Sequence, residues 1–168
     1  MKFFKKYLWI LIALAAVLLD QITKLIVVDL ISYEDVLTVI PNFFSLTYIL
    51  NPGAAFGILA GQRWVFMVFT ILIIVGAVLA LLSGKIKNIW GVISLAMIVG
   101  GGIGNMIDRV VVGKVVDFLA FTFWGYDFAV FNVADVFVCC GVFIFAFYII
   151  FTRDFDSSND KEELNADV

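Results

Sequence analysis

Histidine is absent from the chain. That excludes Ser-His-Asp and Cys-His nucleophilic sites, and zinc peptidases built on HExxH. Cysteine is nearly absent: Cys139 and Cys140 stand side by side within an apolar run. Neighbouring thiols rarely bridge, and zinc-site spacing is missing. With no base nearby they are expected to be packing residues. Any activity should then be indifferent to thiol reagents and chelators, with no metal or cofactor involved. Charge is scarce too, at 15% of residues against 64% hydrophobic, with a mean hydropathy of +1.11. A soluble domain is roughly half apolar, because its surface must be polar. This chain has too little polar material for that, so lipid is its expected solvent. The net charge of −3 names no partner, since much of the acid lies between Asp154 and Asp167, and no basic patch of nucleic-acid type exists.

What is present is long apolar runs. A helix needs roughly 20 apolar residues to cross the hydrocarbon core. Four segments qualify, over about 4–28, 64–82, 89–107 and 132–151. The start resembles a cleavable leader, with Lys2, Lys5 and Lys6 before an apolar stretch. The apolar character continues past Asp20 to Val28, however, so an uncleaved first span is expected. Lysine and arginine favour the cytoplasmic side. Placing the N-terminus inside puts Lys85, Lys87 and Arg153 there as well, and both termini become cytoplasmic. Residues 1–153 then form one integral membrane domain, and 154–168 a disordered acidic cytoplasmic tail.

Two long segments face outward in this topology. Val36–Ile40 and Phe43–Leu50 are β-branched and aromatic, with turn signals at Pro41-Asn42 and Asn51-Pro52-Gly53. Val115–Phe121 and Phe128–Phe131 flank a turn over Trp124–Asp127. Each segment reads as strand, turn, strand, giving a small sheet against the outer surface.

Charged side chains near a bilayer centre cost roughly 2.5–3.5 kcal/mol on insertion scales, and usually mark function. Here the polar residues collect at one level: Asp20 and Lys24, then Asn105, Asp108 and Arg109, then Asn132 and Asp135, with Asp117 in the last outward segment. Each has a plainer explanation. Asp20 and Lys24 share a helix face and can pair structurally. Asp108-Arg109 suits a solvated helix end. Gly100-Gly101-Gly102-Ile103-Gly104 suits close helix packing. Asn132 and Asp135 have N-cap spacing. Asp117 resists dismissal, because it interrupts an apolar strand-like run. Two carboxyls held together share one proton, so one can activate water while the other protonates a carbonyl oxygen. Which two aspartates meet cannot be read from periodicity.

Five motifs together resemble the lipoprotein signal peptidase family, also called signal peptidase II, along nearly the whole chain. They are Asp20-Gln21-Ile22-Thr23-Lys24, Asn51-Pro52-Gly53-Ala54-Ala55-Phe56, Gly100 through Arg109, Val115-Val116-Asp117-Phe118 and Phe131-Asn132-Val133-Ala134-Asp135. The resemblance implies an α-helical membrane protein with four transmembrane helices, a small extracytoplasmic β-sheet (the β-cradle) and a periplasm-side loop. It implies an intramembrane aspartyl endopeptidase of the bacterial plasma membrane, with its active site near the outer face. Such an enzyme removes the signal peptide from diacylglyceryl-modified prolipoproteins, cutting before the lipidated cysteine. The family's catalytic aspartates match Asp117 and Asp135. Its substrate-binding or supporting positions match Asp20, Lys24, Asn51, Gly104, Asn105, Asp108, Arg109 and Asn132. Expected partners are the lipid-modified prolipoprotein, membrane lipids and globomycin-type inhibitors. Val136 departs from the Ser common in the family, and Pro52 from small or polar residues. Phe118, Leu119 and Phe121 are expected to form an apolar wall that limits water. A helix start favours a charged Asp135 and an apolar strand a neutral Asp117, so Asp135 is the expected base and Asp117 the acid. The alternatives are a small transporter or ion pathway using its Asp/Lys pairs, and a structural assembly protein held by its glycine face. A pathway needs polar groups at several depths, and the second span offers essentially none.

Overall fold

The computed structural model describes residues 2–53 and 61–151, with side chains from residue 7 onward. Part of the outward loop (54–60), including the end of its Asn51–Phe56 motif, and the proposed tail lie outside the described residues. The elements are α1 (Lys2–Leu30), β1 (Val36–Ile40), β2 (Phe44–Asn51), α2 (Arg63–Leu82), α3 (Ile89–Val111), β3 (Val115–Phe123), β4 (Tyr126–Asp127) and α4 (Val133–Phe151). All four helices are long and apolar enough to cross a bilayer. Leu11, Leu14, Leu18 and Leu25 of α1 and most of α2 are exposed, which in water would be untenable and in lipid is expected.

α3 is the axis, packed against the other three helices. Its small residues permit this. A Cβ on Gly100 would lie 2.6 Å from both the Ala13 carbonyl oxygen and the Ala16 Cβ of α1. A Cβ on Gly101 would collide with the Ala134 carbonyl of α4. The glycine run therefore sets helix–helix contact, as small residues do where no hydrophobic force drives association. α3 runs to Val111, a full turn beyond the expected end at 107, and stops where Gly113 (φ 82°) takes the left-handed conformation and donates to the Asp108 carbonyl. Asp108 and Arg109 are thus helical residues, and Asp108 is buried rather than a solvated boundary.

The two segments expected to face outward make one sheet. Its order is β1-β2-β3-β4, antiparallel throughout. A cluster of Val27, Ile31 and Phe118, with Tyr48 and Leu46 beside it, fixes the sheet to the end of α1. The last hairpin differs from expectation. Trp124 (φ 49°) and Gly125 (φ 82°) form the two-residue turn, so Tyr126 and Asp127, expected to be part of the turn, pair with Phe123 and Thr122. Two positive-φ central residues match the right-handed strand twist that a tight hairpin needs. Phe128–Phe131, expected as a strand, keeps only one bridge, Leu119 to Phe131.

Candidate active site

Three helix ends and two strands bring the polar residues together. On α1, Lys24 is 3% exposed and Asp20 fully buried. Lys24 Nζ lies 2.9 Å from Asp20 Oδ2 and 2.8 Å from Asp108 Oδ2, and donates to Asn105 Oδ1 at 3.0 Å. The i, i+4 pair expected from sequence exists, but as part of a three-charge cluster. Each carboxylate then turns its remaining capacity to backbone. Asp20 Oδ1 accepts from the Ala134 N–H at 2.9 Å, in the first turn of α4. Asp108 Oδ2 accepts from the Val116 N–H at 3.1 Å, on β3. The cluster so fastens α1, α3, β3 and α4 to one another. Gln21, which sequence reasoning passed over, donates from Nε2 to Asp20, to the Gly104 carbonyl and to Asp108. Its position beside Asp20 was the available signal. Gly104 has its own reason: a Cβ there would sit 2.6 Å from Asp20 Oδ2.

Asn132 and Asp135 form a reciprocal cap. Asn132 Oδ1 accepts from the Asp135 N–H at 3.0 Å, and Asp135 Oδ2 accepts from the Asn132 N–H at 3.2 Å. The plain N-cap explanation is thus correct, and it does not compete with a site. Asp135 Oδ1 also accepts from Asn105 Nδ2 at 2.7 Å. The Asn132 amide reaches the other way, and its Nδ2 donates to Asp117 Oδ1 at 2.6 Å. Asn132 therefore bridges the two aspartates.

Asp117 is 2% exposed. The β2–β3 register pairs Ile49 with Asp117 and Asn51 with Val115, and Asn51 Nδ2 donates to Asp117 Oδ2 at 2.8 Å. Both amides that reach Asp117 are fixed in orientation. Asn51 Oδ1 accepts from the Gly53 N–H at 2.9 Å, and Asn132 Oδ1 is held by the Asp135 N–H. Each can offer Asp117 only its NH2 group. Burial pushes the Asp117 carboxyl up to about 7, and the charge of Asp135 adds to the rise. The donors Asn51 and Asn132, and the Lys24 charge, hold it from rising further.

Both aspartates open onto one cavity of about 510 Å³. Arg109 and Asn105 line it, as does the apolar segment Phe128–Phe131. Arg109 also lies over the Phe66 ring, 5.4 Å from its centre. The expected wall of Phe118, Leu119 and Phe121 is not the one found. Strand side chains alternate, so Phe118 faces away from Asp117 into the cluster under the sheet. Val115, Val136, Cys139 and Cys140 supply the wall instead. The cysteines are exposed cavity residues, not buried packing residues. Cys139 follows Asp135 by one helical turn, which is the cause. Among the described residues no group of three or more Cys, Asp or Glu is arranged to hold a metal ion.

Comparison with solved structures gives the class. Two bacterial membrane enzymes superpose on this chain with TM-scores of 0.79 and 0.77, both at 36% identity. The first covers 90% of either chain, the second 85% of this chain and 92% of its own. The fold is that of a multi-pass membrane enzyme. A family model described as signal peptidase (SPase) II matches residues 12–151. A lipoprotein signal peptidase of Streptococcus thermophilus is 47% identical over 131 residues, 78% of this chain and 84% of its own length. One from Staphylococcus aureus is 38% identical over 154 residues, 92% of each chain. The chain belongs to the signal peptidase II family, and it is a membrane-bound protease. The transporter reading is set aside.

Proposed function

We propose that this chain cleaves signal peptides from lipid-modified prolipoproteins, with Asp117 and Asp135 as the catalytic pair. One observation carries the reading: two aspartates, Asp117 buried and Asp135 half-buried, are bridged by Asn132 and face the same cavity at one end of the helix bundle. Asp117 supplies the acid. With a pKa of about 7 it holds its proton through the mildly acidic range. The fixed amides of Asn51 and Asn132 already donate to both its oxygens, so the proton of Asp117 has to point elsewhere, into the cavity. Asp135 supplies the base, since the amino end of α4 and two N–H donors favour its charged form. The base takes a proton from water as it attacks the scissile carbonyl, and Asp117 protonates the carbonyl oxygen. The tetrahedral species collapses with the proton passing to the leaving amine, and no acyl-enzyme forms. Arg109 and Asn105 line the cavity where the substrate backbone would lie.

The finer parts follow from the same reading. The N-terminal lysines support a topology with both termini in the cytoplasm and the dyad near the outer face of a bacterial plasma membrane. The scissile bond, just before the lipidated cysteine, then lies at headgroup depth with its acyl chains in the bilayer. Exposed Trp124, Tyr126 and Phe128 suit contact with lipid at that level. Globomycin-type inhibitors would occupy the dyad cavity. Incubating the purified protein with a diacylglyceryl-modified prolipoprotein tests the proposal. The wild type should release the signal peptide, and Asp117→Asn and Asp135→Asn, each confirmed as folded, should not. Normal cleavage by either variant would remove that residue from the pair.

A further inference from the structure

α4 carries an uncovered stripe that starts at the dyad. Val136, Cys140, Phe143, Phe147 and Phe151 follow one another at steps of three or four residues, so they line one side of the helix. Phe143, Phe147 and Phe151 are 76%, 64% and 66% exposed. At the upper end, Val136 and Cys140 form part of the dyad cavity wall. At the lower end, the three phenylalanines join Trp90 of α3 around a second hollow, apolar and about 430 Å³ in volume. Phe147 and Phe151 lie with ring centres 4.2 Å apart, tilted by 31°, at its edge. From Asp135 to Phe147 the helix rises about 18 Å, at roughly 1.5 Å per residue.

A bond held at the dyad leaves the rest of a signal peptide with one direction to go, across the bilayer beside the bundle. Its apolar stretch is about 7–15 residues, preceded by a cationic start. As a helix that stretch is about 10–22 Å long, which is the span from cavity to hollow. In the sequence, the residues that follow α4 include Asp154, Asp156, Asp160, Glu162, Glu163 and Asp167 against Arg153 and Lys161. The order along the sequence, apolar stripe and then acid, complements the order along a signal peptide read from its cleavage site, apolar helix and then cation. We propose that this face of α4 is the docking track for the substrate's signal helix, with the hollow receiving side chains from its far half. The track rests on the peptidase reading and extends it to substrate selection away from the reacting atoms.

The test compares two substrates on the full chain. One is a lipid-modified prolipoprotein with its complete signal peptide, and the other a short lipopeptide spanning only the cleavage site. Van der Waals packing drives helix association in lipid, so a lost aromatic contact acts on binding alone. In Phe143→Ala/Phe147→Ala the preference for the complete substrate should fall about fivefold, through KM and not kcat. Equal effects on both substrates, or no effect, would overturn the track and leave the hollow to bulk lipid. A photoreactive benzophenone side chain at position 147 gives a second measurement that does not depend on turnover. It should capture the signal helix of the complete substrate, and capture of lipid alone would also refute the proposal. Failure of the wild type to cut either substrate would instead refute the peptidase reading.

Discussion

Asp117→Asn offers the sharpest check on the acid, because its effect on folding has a calculable pH dependence. The Asp117 carboxyl moves from 3.8 to about 7 on folding, chiefly through burial. The folded protein therefore holds a proton that the unfolded chain has released between those two values. Where the folded state binds more protons, stability falls as pH rises. The contribution is largest below about 4 and is gone above 7. Its full size is about 4 kcal/mol, at roughly 1.4 kcal/mol per unit. Between pH 5 and pH 8 the wild type should lose about 2.5 kcal/mol from this group. Asparagine is neutral throughout, so the variant lacks that slope. It carries a fixed cost instead, because its own NH2 must face the NH2 of Asn51 or Asn132, which are locked. An unmet buried donor costs about 1–3 kcal/mol at any pH. The variant should thus be the less stable protein at pH 5 and gain on the wild type by about 5–10 °C in Tm by pH 8. Thermal unfolding in detergent, followed by tryptophan fluorescence across that range, measures the difference. Parallel Tm curves for the two proteins would show that Asp117 does not titrate near neutrality, and the acid assignment would go with them.

Other outcomes follow from the same geometry. Lys24→Met should leave Asp20 and Asp108 buried without their cation and destabilise the protein by about 3–5 kcal/mol, read as lost Tm or lost yield. Gly104→Ala should displace Asp20 and lower both Tm and turnover. Gly102→Ala should be tolerated, since the new methyl would meet the flexible Ile74 side chain at 3.2 Å and the Thr70 methyl at an ordinary 3.5 Å. Because both thiols line the cavity, the indifference to thiol reagents expected from sequence should fail for bulky ones: maleimides should block turnover by filling the cavity beside Cys139 and Cys140, whereas a small methylthiolating reagent should not. Cys139→Ser/Cys140→Ser should abolish the maleimide effect, and persistent inhibition would place the reactive thiols elsewhere.

The spans were legible because bilayer thickness demands a length that few other constraints produce. The end of α3 was not, since Asp108-Arg109 looks like a boundary until Lys24 and Val116 are placed against Asp108. The polar level was legible, but the pairings within it were not. Periodicity along β2 and β3 says which side chains share a face, and nothing about the long-range register that sets Asn51 beside Asp117. The apolar wall differs from the expected one for reasons that strand and helix geometry supply. Strand alternation puts Phe118 opposite Asp117, and helical spacing puts Cys139 beneath Asp135. The glycine run and the N-cap had two explanations each, and the physical contacts satisfy both at once.

The bond from Asp20 to the Ala134 N–H joins residues 114 positions apart. During synthesis, then, the first span emerges with an acid whose mate has not been translated. Until the final helix arrives, that acid has its lysine but not its backbone donor. The same late arrival delivers Asp135. On the proposed assignment, completion of the bundle and arming of the protease therefore coincide, and a chain stalled before its last span would be inert.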